Sequence, residues 1–196
     1  GINIFVHIHN TQEPTGRGIG PLLETRDAMR VLEQKDNRPI DLEGRAITIA
    51  GKLLSMCLKD APVSLQEKIK EEFGNGEKWA TYILTSGHAL KKMKEIIKAQ
   101  GGNSAIISDS LKPGKYSYIV EAKKKGQVHR INSRNASIIA KILGAPDQKK
   151  SGIYLHKKIG EAFMGDEKLF TLYSEQTSRI KEARDSLKNF PILEII

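Results

Sequence analysis

The sequence predicts two fold classes in succession, an α/β part that is mostly helical in the stretch present, then an α+β part. Three observations predict this. An apolar run at residues 2–8 reads as a strand and leads through a glycine-rich turn into an amphipathic helix. Residues 22–100 then read as successive helices separated by Pro and Gly breaks. Beyond Gly101 and Gly102 the apolar period shortens toward strand-like alternation, so the predicted domains are 1–101 and 102–196.

Each element has a local reason. Pro21 suits the first turn of the first helix, because its missing N–H would have no intrahelical partner there. Asp36 to Pro39 form a break, and Asp41 is the expected cap of a helix over 42–58. Gly44, Ala46, Ala50 and Gly51 on that helix allow close packing, while Ile47, Ile49, Leu53, Leu54 and Met56 supply apolar area. Ser64 with Glu67 reads as a capping box for a helix over 65–73. Helices over 77–85 and 89–99 follow, the second with His88 at its start as the expected cap.

In the second part, residues 116–122 and 127–131 alternate as strands, and Lys123 to Gly126 read as a hairpin turn between them. Asn132 and Ser133 cap a helix through Ile142, closed by Gly144 with Pro146 beyond. Residues 153–159 and 168–174 are expected strands, with Gly165 and Asp166 as a turn between them. Residues 176–189 are an expected amphipathic helix and 191–196 a short apolar strand.

The 196 residues carry a formal net charge of +9, with 39% hydrophobic content and a single cysteine, Cys57. One cysteine excludes an intramolecular disulfide and fits a reducing, cytoplasmic setting. No apolar run has membrane-spanning length, so no membrane partner is expected. Cys57 lies in an apolar helical run and reads as a buried small hydrophobe. Residues 101–196 hold 17 basic against 10 acidic side chains, concentrated at Lys123 to Lys125, Lys149 and Lys150, and Lys157 and Lys158. No aromatic residues are interleaved with these runs as stacking platforms, so they read as solvated faces and no nucleic-acid partner is expected.

The segment 9–20 is where chemistry is expected. Gly16, Gly18 and Gly20 permit positive φ angles and close backbone approach, and a strand–turn–helix presents N–H groups to an anion. A loop that merely connects two elements remains the alternative. Arg17 supplies a guanidinium for a phosphate oxygen, or else pairs with Glu13 or Glu24. His7 and His9 would share one face of the expected strand and can exchange protons near neutral pH. His129 and His156 read as structural, and no cluster has metal-ligand spacing, so no metal is expected.

Residues 13–32, EPTGRGIGPLLETRDAMRVL, resemble a segment of thymidine phosphorylases and archaeal-type AMP phosphorylases. The resemblance continues in order through Ile49 to Leu54, Leu84 to Lys91, Ile97 to Gly102, Leu143 to Pro146, Ser151 to Tyr154 and Gly165 to Glu175. It covers nearly the whole chain and is closest to the branch holding AMP phosphorylases and their bacterial thymidine phosphorylase relatives.

The resemblance implies a C-terminal fragment. It would comprise the mostly helical end of a phosphorylase α/β domain, then a barrel-sandwich, hammerhead-like α+β domain. The spacing at 165–172 is similar to that in biotinyl and lipoyl domains, but no lysine stands in their Met-Lys-Met context, so no carrier role is expected. It further implies that the upstream phosphate-binding segment, most base contacts and a dimerising helical domain lie outside this sequence. The implied activity is reversible phosphorolysis of thymidine or a related pyrimidine nucleoside by a full-length homodimer. Inorganic phosphate would be the co-substrate and no cofactor is needed, and the fragment by itself is expected to be inactive. AMP phosphorolysis and a non-catalytic nucleotide- or RNA-binding module are the alternatives.

By the same resemblance, AMP phosphorylases carry a Thr-Asp pair whose Asp is the proton donor, where this sequence has His9 and Asn10. An amide is no general acid, so Asn10 is expected to hydrogen-bond a base and His9, or else His7, to donate the proton. Gly18 matches a ligand-loop position, and Arg45 matches a lysine that contacts ligand phosphate.

Overall fold

A computed structural model describes residues 4–196. The chain forms two compact units, one of residues 22–112 and one that joins the N-terminal segment through Pro21 to residues 113–196. The class is mixed α and β with antiparallel sheets.

The helical unit holds α1 (Pro21–Leu32, whose first residue belongs to the other unit), α2 (Ile40–Lys59), α3 (Val63–Phe73), α4 (Gly76–Thr85), α5 (His88–Ala99) and a 3-10 turn at Ser108–Ser110. Pro21 opens α1 as its sequence suggests, and Leu23, Met29 and Val31 are its buried stripe. The close approach expected from small residues falls on Gly51. A Cβ there would lie 2.7 Å from the backbone of Glu77, and one on Gly76 would lie 2.1 Å from the Gly51 carbonyl oxygen. Glu33 fastens the end of this unit, accepting from Ser108 N at 2.9 Å and from its hydroxyl at 2.5 Å.

Several local expectations are corrected here. Pro39 and Pro62, not Asp41 and Ser64, precede α2 and α3, and neither helix has a side-chain cap bond. A proline ahead of the first turn defines the helix start without a capping side chain. The residue before α5 is Gly87 at φ +80°, with His88 already helical and its Nδ1 2.6 Å from Ser86 Oγ. Asn75 is a true cap of α4, accepting from Lys78 N at 2.9 Å. Cys57 is exposed rather than buried, since of α2 only Gly51 is fully buried. Ile49, Leu53, Val63, Leu65, Tyr82 and Ile96 are also substantially exposed.

The second unit is built on a four-stranded antiparallel sheet in the order β1-β4-β6-β2 and a three-stranded sheet in the order β5-β3-β7. The strands are β1 (Gly18–Ile19), β2 (Tyr116–Glu121), β3 (Gly126–Ile131), β4 (Gly152–Leu155), β5 (Ala162–Phe163), β6 (Lys168–Ser174) and β7 (Leu193–Ile195). Helices α6 (Ser133–Leu143) and α7 (Thr177–Ser186) complete it. Val128, Ile139, Leu143, Ile153, Leu155, Phe163, Phe170, Leu172 and Ile192 form its core, with Ile19 packed against them. α6 has the expected ends, an Asn132 side chain accepting from Asn135 N at 3.0 Å and Gly144 at φ +116°.

Three strand expectations change. Residues 4–8 form no strand; Ile4, Phe5, Val6 and Ile8 are exposed, and residues 2 and 3 lie outside the described range. An apolar alternation becomes a strand only beside a neighbour that takes its backbone hydrogen bonds. β2 and β3 are not a hairpin: β2 pairs with β6, while β3 pairs with β5 and β7. A ladder of six residue pairs with β6 occupies one edge of β2, and Lys123 to Lys125 carry the chain to the other sheet. The strand expected at 153–159 ends at Leu155, and the residues beyond it form a loop with a role of its own.

Candidate functional site

The glycine-rich segment does not stand clear of the protein. Gly18 and Ile19 are an edge strand, pairing antiparallel with Tyr154 and Ile153 of β4. Leu155 N donates to the Arg17 carbonyl at 2.8 Å, extending that ladder by one bond. Gly20, at φ +121°, would place a Cβ 2.5 Å from the Ser151 carbonyl oxygen, so its missing side chain admits the backbone of the β4 approach. Gly16 also has a positive φ, +79°.

Side chains bolt the same segment to the loop after β4. Arg17 donates to Glu161 Oε1 at 2.7 Å and to the His156 carbonyl at 2.8 Å. Glu161 also accepts from Lys158 N at 3.0 Å. Lys158, 6% exposed, donates its Nζ to the carbonyls of Pro14 and, at 2.8 Å, Gly16, and lies 3.5 Å from Glu13 Oε1. Glu13 in turn accepts from Ile159 N at 3.0 Å. Two carboxylates from opposite sides thus each take a backbone N–H of the Lys158–Ile159 pair and each face a cation. Burial pushes the Glu161 carboxyl up. The Arg17 hydrogen bond, the Lys158 N–H and the charges of Arg17 and Lys157 outweigh it and hold the group below its ordinary range.

Lys158 is therefore no part of a solvated face, which corrects the sequence expectation; its stem and ammonium are enclosed. Its neighbour Lys157 pairs with Glu167 at 2.5 Å and donates to the Ala162 carbonyl at 3.0 Å. Lys123 to Lys125 are exposed, as a solvated run should be. His156 bonds Thr171 Oγ1 through Nε2 at 2.8 Å and meets Tyr154 edge-on, a structural setting.

The candidate catalytic pair lies just before this anchored stretch. His9 and Asn10 are exposed in the irregular segment, and the His7 and His9 rings stack with centroids 5.5 Å apart. Arg17 and Gly18 belong to the same unit as His9 and Asn10, and Arg45, half-buried on α2, belongs to the helical unit. Sequence reasoning missed Lys158 and Glu161. Their partners are 142 to 144 residues away, and no period in the sequence links them.

Among the described residues no helix is long and apolar enough to cross a membrane.

Residues 127–191 match the family model described as pyrimidine nucleoside phosphorylase C-terminal domain. A Legionella pneumophila (strain Paris) protein named "Putative thymidine phosphorylase" is 38% identical over 96% of this chain and 34% of its own length. The AMP phosphorylase of Methanocaldococcus jannaschii is 38% identical over 87% of this chain and 32% of its own length. That of Methanosarcina mazei is 35% identical over 93% and 34%. The chain spans about a third of the length of these curated relatives.

Proposed function

We propose, from the premise that this chain is a relative of the thymidine phosphorylases and AMP phosphorylases, that it is the C-terminal part of a nucleoside phosphorylase. The whole enzyme would catalyse reversible phosphorolysis of thymidine or a related pyrimidine nucleoside. Phosphate oxygen bonds to C1′ of the sugar as the C1′–N bond breaks, giving free base and (deoxy)ribose 1-phosphate. The observation that carries this reading is the match of residues 127–191 to the pyrimidine nucleoside phosphorylase C-terminal domain, joined to a relationship extending over nearly the whole chain.

The chemistry assigns roles. The transition state is oxocarbenium-like at the sugar and leaves negative charge on the departing base. His9 supplies a proton or hydrogen bond to that base, and Asn10 hydrogen-bonds it. The backbone at Gly18 and the cations Arg17 and Arg45 favour the phosphate or nucleotide anion. No cofactor is required. The full-length protein is a cytoplasmic homodimer, and the sheet-built C-terminal part is the hammerhead-like barrel-sandwich. Asn10 in place of an acidic proton donor favours a nucleoside over AMP.

The test is to supply the full-length protein with phosphate and either thymidine, uridine or AMP. Release of thymine or uracil supports the reading. Release of adenine alone replaces it with AMP phosphorolysis. A second, non-catalytic reading as a nucleotide- or RNA-binding module is favoured by one observation. An open groove of about 810 Å³ in the helical unit is lined by Trp79, Tyr82, His88, Lys91 and Lys92. Retention of single-stranded RNA, abolished by Trp79→Ala and Tyr82→Ala together, with no turnover of any nucleoside, would select that reading.

A further inference from the structure

Lys158 is the least expected group in the molecule. A buried ammonium is costly unless its donors are taken up, and here they meet the Pro14 carbonyl, the Gly16 carbonyl and the Glu13 carboxylate. All three lie in the segment immediately before β1. The two carbonyls belong to the turn in which Gly16 adopts φ +79°. The three contacts to one ammonium fix the path of the chain through residues 13–16. The Arg17–Glu161 pair and the Glu13–Ile159 bond hold the flanks of the same turn.

We propose that Lys158 is a positioning residue: the loop after β4 is a clasp that sets the conformation of residues 13–18, and through them the affinity for the anionic co-substrate. This rests on reading residues 9–20 as the segment that meets substrate. Lys158 touches no reacting atom. Its effect runs through the carbonyls of Pro14 and Gly16.

The test uses the full-length protein with Lys158→Met, Lys158→Arg and the control Lys124→Met. Amide exchange is read at residues 15–19 and, as an internal reference, at residues 136–143 of α6. Phosphorolysis kinetics are read on the same samples. Lys158→Met is expected to raise exchange at 15–19 at least tenfold while α6 stays protected. It should raise the KM for phosphate about tenfold with a smaller change in kcat. Lys158→Arg should recover part of both, and Lys124→Met should change neither. Unchanged exchange at 15–19, or a loosened loop with an unchanged KM, overturns the proposal. If Lys158→Met does not fold, Glu13→Gln and Glu161→Gln carry the same test from the other side of the clasp. His9→Ala with Asn10→Ala, both exposed and outside the clasp, tests the substrate-segment reading separately. Full activity in that double variant defeats the reading, whereas its inactivity beside a fully active Lys158→Met defeats only the clasp.

Discussion

Arg17 and Glu161, 144 positions apart in the chain, meet at 2.7 Å, and through that pair the glycine-rich segment is part of the C-terminal sheet unit rather than a free loop. The glycines divide accordingly. Gly20 admits the Ser151 backbone, Gly18 pairs with Tyr154, and Gly16 turns the chain so that its carbonyl reaches Lys158.

Arg17→Ala in the full-length protein should weaken substrate or phosphate binding by about one to two orders of magnitude, roughly 1.4 to 2.8 kcal/mol. Changing Lys123, Lys124 and Lys125 together to Ala should leave catalysis nearly intact, since all three are exposed. Steady-state kinetics on the two variants checks this. Loss of activity in the lysine triple with a normal Arg17→Ala would move the site to the basic turn.

The Arg17–Glu161 pair also sets a pH dependence. Because the Glu161 carboxyl is held below its ordinary value of 4.5, the stability it contributes is complete above that value and is lost as pH falls through the folded-state value. A carboxyl-carbon NMR titration of Glu161 should show a midpoint below 4.5. In Arg17→Ala the midpoint should rise, because burial, the largest influence, persists without its counterweight. A midpoint unchanged by Arg17→Ala would mean the pair does not hold in solution.

Gly51 and Gly44 lie on the same helix and should answer oppositely to alanine. A Cβ at Gly51 meets the Glu77 backbone at 2.7 Å, and backbone cannot step aside as a side-chain tip can. Overpacking of this kind costs roughly 1–3 kcal/mol, so Gly51→Ala should lower the midpoint of thermal unfolding by several degrees. Gly44 has nothing within 4 Å of its virtual Cβ, so Gly44→Ala should gain about 0.5–1 kcal/mol from reduced unfolded-state freedom. Calorimetry showing the same sign for both would remove the close α2–α4 contact as the cause.

Much of the helical order was legible because its signals are local. Pro21, Asn132 and Gly144 act within one turn of their own positions, and α1 to α6 lie close to where they were expected. Strand pairing was not legible, because it depends on which neighbour accepts a backbone. β2 and β3 are adjacent in sequence and alternate well, yet each pairs elsewhere. The site shows the same divide. Arg17 and Gly18 stood out from their glycine context, while Lys158 looked like one more surface lysine. Only the three-dimensional return of the loop after β4 makes it a buried ion.

The segment between α5 and the 3-10 turn should be the first place a protease cuts. α5 closes with Gly101 at φ +79° and Gly102 N bonded to the Ile97 carbonyl at 2.8 Å, after which most of residues 101–107 are exposed. Their backbone enters no helix or strand until Ser108, where Glu33 holds the chain again. Opening such a stretch for a protease sacrifices little packing, whereas opening α2 would uncover Gly51 and its contact with α4. Lys123 to Lys125, exposed between two sheets, form a second susceptible point for a trypsin-like enzyme. Brief digestion should therefore give fragments ending near 100–107 and near 123–126, identified by intact mass. A chain that resists at both and is first cut inside residues 40–57 would show that the division between a helix-rich and a β-rich part is misplaced.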